Sequence, residues 1–287
     1  MTIPRTLADA AKAEGREQWL DRLPALVSRY EREWSLSVGR PFQPGGHTAW
    51  VAPALTARGE KRVLKILWRH PEADHEADAL RVWAGRGAVT LYEAAESAET
   101  IVMLLERCTP GTPLSTATEE DQDPVIAGLL RRLWVDPPSA SRFRPLSEMC
   151  SLWADHAAAE LAAGHLPIDA GLASEGIELL RTLPASADRR VLLCTDLHAG
   201  NVLSAQREPW LVIDPKPYVG DPAFDVTQHL LNCERRLHFD PRALVSRVAD
   251  LLDLEHDRVL RWLFARCVQE SAGAPQLAGV ARRLAPP

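Results

Sequence analysis

The spacing of apolar residues divides the chain into three stretches. Residues 6 to 33 carry apolar side chains at helical spacing, and Pro24 is expected to break or restart that helix. From Trp34 to Arg107 short β-type runs follow one another, with one helical stretch between the third and fourth runs, at residues 72 to 83. After Pro110 the pattern is again helical, most clearly at 119 to 134, 146 to 163 and 171 to 183.

This order of elements predicts an α+β protein with two lobes. We expect a helical segment at 1–33, a small and mostly antiparallel β-lobe with one helix at 34–108, and a larger helical lobe at 109–287. Three short apolar runs interrupt the helical lobe, and turn-rich sequence separates them. These runs are VLLC (191–194), NVLS (201–204) and WLVID (210–214). Because the turns between them are rich in polar residues, we expect the chemistry there.

Composition and charge exclude several classes of protein. The chain has 287 residues, of which 46% are hydrophobic, and a net charge of -6, which argues against a nucleic-acid partner. The start has no apolar signal region and no apolar run is long enough to span a bilayer, so we expect a cytoplasmic protein without a membrane partner. Five scattered cysteines and nine histidines show no ligand spacing, so neither disulfides nor a transition metal are expected.

Three polar residues stand at the turns of the helical lobe. Asp196 and Asn201 lie in CTDLHAGN, and Asp214 ends the run WLVID. Phosphoryl transfer from ATP needs a carboxylate that orients the attacking hydroxyl and oxygen ligands that hold Mg²⁺ against the phosphates. Each residue alone is typical of an ordinary turn, because Asp and Asn hydrogen-bond their own backbone. The three together, in this order, predict a phosphoryl-transfer site.

A lysine inside an apolar strand is the second candidate feature. Lys65 lies in RVLKIL, where strand alternation puts it on one face with Val63 and Leu67. A buried ammonium group needs a partner, and Glu76 in the following helix is the first candidate, with Glu72 second. Such a pair holds the α- and β-phosphates of ATP in kinase-type sites. The alternative is a solubilising charge on an exposed strand edge.

The chain resembles the aminoglycoside phosphotransferases of the protein-kinase-like superfamily, from Trp34 to about Arg283. It is most similar to their streptomycin 6-phosphotransferase and hydroxyurea phosphotransferase branch. The resemblance implies a bilobal protein-kinase-like fold and the use of ATP and Mg²⁺. The segments on which it rests are LLERCTPGTPL (104–114), DLHAGNVL (196–203) and REPWLVIDPKPYVGDPAFD (207–225), together with the LKI and EADALRVW segments that precede them.

The resemblance implies a role for each polar residue of the helical lobe. Asp196 would be the catalytic base, and Asn201 and Asp214 would be the Mg²⁺ ligands. Asp225, in GDPAFD, would brace the catalytic loop from a following helix. An equally good interpretation of Asp225 is a carboxylate at a helix N-terminus, where the helix dipole favours negative charge.

The resemblance also implies the nucleotide contacts of the β-lobe. Lys65 would bind the phosphates, with Glu76 as its partner. A hinge at 105–108, which includes Glu106 and Cys108, would meet the adenine through its backbone.

Two features depart from the family pattern. Cys194 stands two residues before Asp196, where the family usually has a histidine, so the support of the loop must differ. The loop that would cover the phosphates, PGGHTAW, has two adjacent glycines and no GxGxxG. Gly45 and Gly46 are therefore candidate nucleotide-binding residues, with an ordinary hairpin turn as the alternative.

The predicted acceptor is a small molecule. A protein kinase would carry Lys two residues after the catalytic aspartate and DFG at the metal aspartate, whereas this chain has His198 and Asp214-Pro215-Lys216. Only a few residues separate Asp214 from the helix expected at Asp221, which leaves no room for a peptide-docking loop.

The charge of the helical lobe favours a cationic acceptor. Residues 111 to 195 carry 12 acidic and 7 basic side chains, although Glu119, Glu120, Asp121 and Asp123 also suit a helix N-terminus. We expect O-phosphorylation of an aminoglycoside, streptomycin first, as a resistance reaction without an obligatory protein partner. The alternatives are a kinase for hydroxyurea, an amino sugar or another small molecule, and a silent nucleotide-binding kinase-like protein.

Overall fold

The computed structural model describes residues 1–139 and 142–285, so residues 140, 141, 286 and 287 of the predicted helical lobe lie outside the described residues. The chain divides into two compact units, Met1–Gly111 and a second unit that begins at Thr112. Among the helices of these described ranges, none combines the length and the apolar character needed to cross a membrane.

The first unit is built on an antiparallel sheet with the strand order β1-β2-β3-β5-β4. Alternating or continuous apolar runs form these strands, and the sequence predicted each of them to within a few residues. The strands are β1 (Leu36–Val38), β2 (Ala49–Thr56), β3 (Lys61–Trp68), β4 (Leu91–Glu96) and β5 (Thr100–Glu106). A short 3₁₀ turn (Pro71–Ala73) and the helix α3 (Glu76–Trp83) connect β3 to β4.

Two helices precede the sheet, α1 (Arg5–Ala13) and α2 (Glu17–Glu33). The expectation that Pro24 breaks or restarts the helix was wrong, because Pro24 lies inside α2. The break is at Gly15, whose φ of +65° suits glycine far better than other residues. Proline removes one helical hydrogen bond, but the helix keeps an apolar face with Trp19 and Leu23 that is buried in the core of the sheet.

The core of the first unit is rich in tryptophan. Trp19 of α2 packs edge-to-face on Trp68 of β3, with 5.3 Å between the ring centroids. Its indole N–H donates to the hydroxyl of Thr100, 2.9 Å away, which satisfies the polar end of a buried ring. These contacts attach α2 to the strands β3 and β5.

The second unit is mainly helical. Before its short strands come a 3₁₀ turn (Leu114–Thr116), the helices α4 (Glu119–Leu133), α5 (Leu146–Ala162) and α6 (Ala170–Thr182), and a second 3₁₀ turn (Leu183–Ser186). After the strands come α7 (Pro222–Asp225), α8 (Thr227–Asn232), α9 (Glu234–Phe239), α10 (Pro241–Leu252), α11 (His256–Glu270) and α12 (Leu277–Leu284). The helices α6 and α11 meet closely at Gly176, where a β-carbon would lie 2.6 Å from Val268.

Two short antiparallel pairs of strands hold the polar turns of this unit. The strand β6 (Val191–Leu193) pairs with β9 (Tyr218–Gly220), and β7 (Val202–Ser204) pairs with β8 (Trp210–Val212). The sequence predicted β6, β7 and β8, but it missed β9. Three residues between proline and a helix start give no pattern of their own, and their strand exists only through pairing with β6.

A buried network of charges joins α4 to the helices α8, α9 and α10. Asp123 is fully buried, and its carboxylate contacts His229, Arg236 and Arg247 at 2.9, 2.9 and 2.7 Å. Burial raises the pKa of Asp123, but these hydrogen bonds and charges outweigh burial and leave the pKa below its ordinary value. Cys233 completes a cluster with Asp123 and His229. Because two arginines already neutralise the carboxylate, the cluster is an internal ion-pair network.

Candidate active site

The polar turns of the second unit bring Asp196, Asn201 and Asp214 to adjacent strand ends. Asp196 lies in the loop after β6, and Asn201 ends the 3₁₀ turn (Ala199–Asn201) that leads into β7. Asp214 follows β8, the partner of β7, and the N–H of Ile213 donates to the carbonyl of Asn201 at 2.9 Å. The hairpin therefore holds Asn201 and Asp214 side by side.

The side chain of Asn201 is oriented by the backbone of Asp196. Its N–H₂ group donates to the backbone carbonyl of Asp196 at 3.0 Å and lies 3.5 Å from the Asp196 carboxylate. This hydrogen bond commits the amide nitrogen, so a metal ion held by this side chain would bind its amide oxygen. The carboxylate of Asp214 is exposed. An amide oxygen and a carboxylate are the hard oxygen donors that Mg²⁺ prefers, so the residues present fit that ion.

Asp225 holds the backbone that leads into Asp196. The Asp225 side chain is fully buried at the end of α7, and it accepts hydrogen bonds from the N–H groups of Cys194 (3.0 Å) and Thr195 (2.6 Å). The indole N–H of Trp134 is its third donor, at 3.0 Å. Burial raises the pKa of Asp225 to about 6, and the three N–H donors limit the rise. Both carboxylate oxygens of Asp225 therefore accept hydrogen bonds from the backbone that leads into Asp196, whatever the helix dipole contributes.

Cys194 supports the loop through its backbone. Its N–H donates to Asp225, and its carbonyl accepts from the N–H groups of Asp196 (2.8 Å) and Lys216 (3.0 Å). The side chain is fully buried, and burial raises the pKa of the thiol well above its ordinary value. A neutral thiol fills the space while the neighbouring backbone supplies the hydrogen bonds, which accounts for a cysteine where the family usually has a histidine.

Thr195 adopts an unusual backbone conformation next to Asp196. Its φ is +51°, in the left-handed region that β-branched residues rarely enter. Two hydrogen bonds hold it there, from its N–H to Asp225 and from its hydroxyl to the carbonyl of Lys216. Strained backbone of this kind persists where the surroundings fix it, and it is concentrated at functional sites.

Lys216 is a site residue that our sequence reasoning missed. Its ammonium nitrogen lies 3.2 Å from the Asp196 carboxylate. One signal was available, because Lys216 is one of only four lysines in the chain and stands between Pro215 and Pro217 directly after Asp214. From the sequence alone, Lys216 is a departure from the DFG sequence of protein kinases and suggests no role of its own.

In the first unit, Lys65 and Glu76 form a buried ion pair. The ammonium nitrogen of Lys65 lies 2.7 Å from each carboxylate oxygen of Glu76, and the two residues are 5% and 2% exposed. Lys65 is in β3, where its neighbours across the sheet are Val51 and Met103. Glu76 is the first residue of α3, where the helix N-terminus stabilises its negative charge. The exposed-edge interpretation of Lys65 was therefore wrong.

The glycine pair lies in the connection from β1 to β2. The strand register pairs Val38 with Ala54, so this connection is far longer than a two-residue hairpin turn. Gly45 has a φ of +87°, and a β-carbon there would lie 2.5 Å from Pro4. The hydroxyl of Thr6 also donates to the carbonyl of Pro44, at 2.7 Å. The N-terminal segment thus braces the loop at Gly45, while a β-carbon on the neighbouring Gly46 would meet nothing closer than 3.5 Å.

The end of β5 and the segment after it contain the remaining nucleotide candidates. The carboxylate of Glu106 accepts from both the N–H and the hydroxyl of Thr90 at 3.0 Å, and Cys108 is half-buried. Because the Glu106 side chain is committed to Thr90, an adenine would meet this segment through its backbone.

Solved structures with the same fold include phosphotransferases and kinases of small molecules. The chain superposes on the macrolide 2'-phosphotransferase MphH of Brachybacterium faecium with a TM-score of 0.59 and 18% identity, covering 93% of this chain and 99% of that one. It also superposes on the amicoumacin kinase hAmiN, solved with AMP-PNP, with a TM-score of 0.53 and 15% identity over 85% and 88% of the two chains. The fold is thus the protein-kinase-like fold.

Sequence comparison narrows this class to one family. Residues 34–276 match the aminoglycoside/hydroxyurea antibiotic resistance kinases, and the chain belongs to that family. It is 33% identical to a streptomycin 6-kinase of Streptomyces griseus, over 99% of this chain and 97% of that protein. It is 37% identical to a hydroxyurea phosphotransferase of Kitasatospora aureofaciens, over 90% of this chain and 74% of that protein. The protein is therefore a small-molecule phosphotransferase.

Proposed function

We propose that the enzyme transfers the γ-phosphate of ATP to a hydroxyl group of streptomycin and that Asp196 is the catalytic base. The observation that carries the proposal is the loop geometry at Asp196, whose backbone is anchored on Asp225 and whose carboxylate lies beside Asn201. Two streptomycin 6-kinases among the relatives support this acceptor and position 6 as the hydroxyl that reacts.

The reaction needs one proton transfer and one displacement. The acceptor hydroxyl gives its proton to the Asp196 carboxylate, and its oxygen forms a bond to the γ-phosphorus. The bond from that phosphorus to the bridging oxygen breaks, and ADP leaves with the electron pair. The product carries a new phosphate on a hydroxyl of the drug, which adds bulk and negative charge to a polycationic molecule.

The remaining candidate residues would bind the nucleotide. Asn201 and Asp214 would hold Mg²⁺, which when bound neutralises negative charge on the phosphates. Lys65 would bind the α- and β-phosphates, and Glu76 would keep its ammonium group in place. The loop at Gly45 and Gly46 would cover the phosphates, and the backbone from Glu106 to Cys108 would meet the adenine.

An acidic groove on α5 supports a cationic acceptor. An open cavity of about 380 Å³ has a lining that includes Ser147, Glu148, Ser151, Leu152 and Asp155. Glu148 and Asp155 are two helical turns apart on one face, roughly 10 Å along the axis. Asp155 pairs with Arg181 at 3.1 Å, and because that ion pair is exposed and weak, a guanidinium group of the acceptor would replace it. Glu148 would accept a second guanidinium group, and the serine hydroxyls can accept or donate hydrogen bonds.

The acidic residues at the start of α4 contact residues of a later helix. Arg235 contacts Glu120, while Glu119 accepts hydrogen bonds from the backbone N–H groups of Arg235 and Arg236. We assign acceptor binding to the α5 groove because its carboxylates line an open cavity, and not to the start of α4, where the carboxylates contact later helices.

Hydroxyurea is the second candidate acceptor. The specific observation in its favour is the 37% identity to a hydroxyurea phosphotransferase. Hydroxyurea is small and uncharged, so its binding would not depend on the carboxylates of the α5 groove. For either acceptor we place the enzyme in the cytoplasm, where ATP is available, and we assign it no obligatory protein partner.

The direct experiment is turnover with Mg²⁺-ATP against streptomycin, other aminoglycosides, hydroxyurea and amino sugars, followed by mass spectrometry of the acceptor. We expect streptomycin to gain the mass of one phosphate and NMR to place it on the hydroxyl at position 6. If hydroxyurea gains phosphate and streptomycin does not, the assignment of streptomycin as the acceptor is wrong, while the assignment of phosphoryl transfer from ATP stands. If the enzyme binds ATP but phosphorylates none of these compounds, the proposal that one of them is the acceptor is wrong.

A further inference from the structure

Lys216 has a fixed position beside the proposed catalytic base. Its ammonium nitrogen lies 3.2 Å from Asp196 Oδ2, and the two side chains are 32% and 19% exposed. An ion pair that is only partly exposed is less screened by water and salt than a surface pair. Lys216 therefore contributes a positive charge at the place where the acceptor hydroxyl must meet Asp196.

Hydrogen bonds also fix the position of the Lys216 backbone. Its N–H donates to the carbonyl of Cys194 at 3.0 Å, and its carbonyl accepts from the hydroxyl of Thr195. Pro215 and Pro217 flank it, and a residue before proline is restricted to extended conformations. The backbone of Lys216 therefore has little conformational freedom left to lose when the ammonium group is used in catalysis.

His198 stands two residues after Asp196, at the position where a protein kinase has a lysine. The Nδ1 atom of His198 accepts a hydrogen bond from the N–H of Gly200 at 3.2 Å, which requires an unprotonated nitrogen. Burial lowers the pKa of His198, and the nearby charge of Lys216 adds to this effect against the attraction of Asp196. His198 is therefore neutral near pH 7 and supplies no positive charge.

We propose that Lys216, although it comes from the segment after Asp214, performs the task of the missing catalytic-loop lysine. It orients the Asp196 carboxylate in the free enzyme and contacts the oxygens of the γ-phosphoryl group during transfer. The inference rests on the proposed function, because it assigns a further residue to the same site.

Distance and charge both favour this role. The acceptor oxygen must come within about 3 Å of Asp196 to lose its proton, so on the same carboxylate oxygen it lies within about 6 Å of the Lys216 nitrogen. The flexible four-carbon stem of lysine covers the difference. Negative charge is spread over the three equatorial oxygens of the transferred group in the transition state, and a positioned cation there lowers the barrier.

The scarcity of lysine allows a direct test on the unmodified chain. The four lysines are Lys12, Lys61, Lys65 and Lys216, of which the first two are exposed. The probe is an acyl phosphate of ATP, with Mg²⁺, in which an acyl group is bonded to an oxygen of the γ-phosphate. A nearby amine attacks the acyl carbon, an amide forms, the carbon–oxygen bond to phosphate breaks, and ATP leaves.

We expect peptide mass spectrometry to find acylation of Lys216 that excess ATP suppresses at least tenfold. Any acylation of Lys12 and Lys61 should not respond to ATP. ATP-protected acylation of Lys65 without any of Lys216 would overturn the inference. Because this experiment uses neither a variant nor an acceptor, it does not depend on the folding of a mutant or on streptomycin.

Kinetic variants provide the second test. We expect Lys216→Met to lower kcat about 100-fold or more while KM for ATP and streptomycin changes less than about threefold, because the interaction is made chiefly in the transition state. Lys216→Arg should recover at least a tenth of the wild-type kcat. Lys12→Met is the matched control and should leave both parameters unchanged. A Lys216→Met enzyme with wild-type kcat, or with raised KM values alone, would contradict the inference.

The two tests separate this inference from the proposed function. If wild-type enzyme phosphorylates an acceptor and ATP protects only Lys65, the role of Lys216 is wrong and the proposed function stands. If ATP protects no lysine and no acceptor gains phosphate, the proposed function fails and the role of Lys216 fails with it.

Discussion

The carboxylate of Asp225 accepts a 3.0 Å hydrogen bond from the backbone N–H of Cys194, although 31 residues separate the two. The contact joins the end of α7 to the strand that leads into Asp196. The chain can therefore have a cysteine two residues before the proposed base. The loop is held by hydrogen bonds between its backbone N–H groups and the buried Asp225 carboxylate, and the cysteine side chain is not needed for them.

The stability of the protein should depend on the protonation of Asp225. Burial raises the pKa of Asp225 to about 6 in the folded protein, above the unfolded value of about 4. Between these values the folded state binds the proton more tightly, so this group's contribution to the free energy of unfolding falls as pH rises from about 4 to 6 and is constant above that. The loss amounts to about 3 kcal/mol at most.

Replacing Asp225 with Asn removes this titration. Urea unfolding at several pH values should show that the wild type loses stability relative to Asp225→Asn as pH rises from 4 to 6. The variant should also be less active, because its NH₂ group faces N–H donors. Parallel pH curves for the two proteins would contradict the raised pKa.

Variants of the Lys65–Glu76 pair should change the stability of the protein and its ATP turnover in different ways. Glu76→Leu leaves a buried ammonium group without this carboxylate and should cost about 3–5 kcal/mol of unfolding free energy. Adding Lys65→Met should restore much of that stability, while ATP turnover remains lost in both variants. The exposed pair Arg29–Glu33 provides the control, since Glu33→Gln should cost less than about 1 kcal/mol. A double variant with recovered turnover would exclude a role for Lys65 in nucleotide binding.

The α5 groove should set the affinity for a cationic acceptor. We expect Glu148→Gln and Asp155→Asn each to raise KM for streptomycin about 5- to 20-fold, because each removes one charge-assisted hydrogen bond, with KM for ATP unchanged. Steady-state kinetics with each substrate varied in turn would measure this. Glu175→Gln, an exposed change on α6, should have no effect. Unchanged streptomycin KM in both groove variants would place the acceptor elsewhere.

Cys108 should react with alkylating reagents faster than the other thiols. Cys108 is half-buried, whereas Cys150, Cys194, Cys233 and Cys267 are buried. Burial raises the pKa of Cys150, Cys233 and Cys267 to about 12, which keeps these thiols protonated and unreactive at neutral pH. If the segment at Cys108 meets adenine, ATP should slow its alkylation by iodoacetamide at least fivefold. Equal rates with and without ATP would argue against that placement.

Local patterns were enough to predict most elements of the first unit and the three polar turns of the second. Apolar runs with strand periodicity defined β2, β3 and β5, and helical spacing defined α4, α5 and α6. The pairing of Lys65 with Glu76 followed from the cost of an unpaired buried charge. These features depend on periodicity or on a single energetic rule that acts at short range along the chain.

Features that depend on contacts distant in sequence could not be predicted in this way. The strand β9 has no pattern of its own, and Lys216 reaches Asp196 because its backbone joins the carbonyl of Cys194. Asp123 looked like helix-capping charge, but it is the centre of a buried ion-pair network with residues more than 100 positions away. Helix α2 passes through Pro24 because the packing of its apolar face outweighs one lost hydrogen bond.

The most direct test of the account is single-turnover phosphorylation of streptomycin by wild type and by Asp196→Asn, with ATP binding measured in parallel. Removal of the proposed base should lower the rate of phosphate transfer about 10³-fold, while the Kd for Mg²⁺-ATP stays within about threefold of wild type. Transfer within about tenfold of wild type by a variant that binds ATP normally would contradict the assignment of Asp196 as the catalytic base.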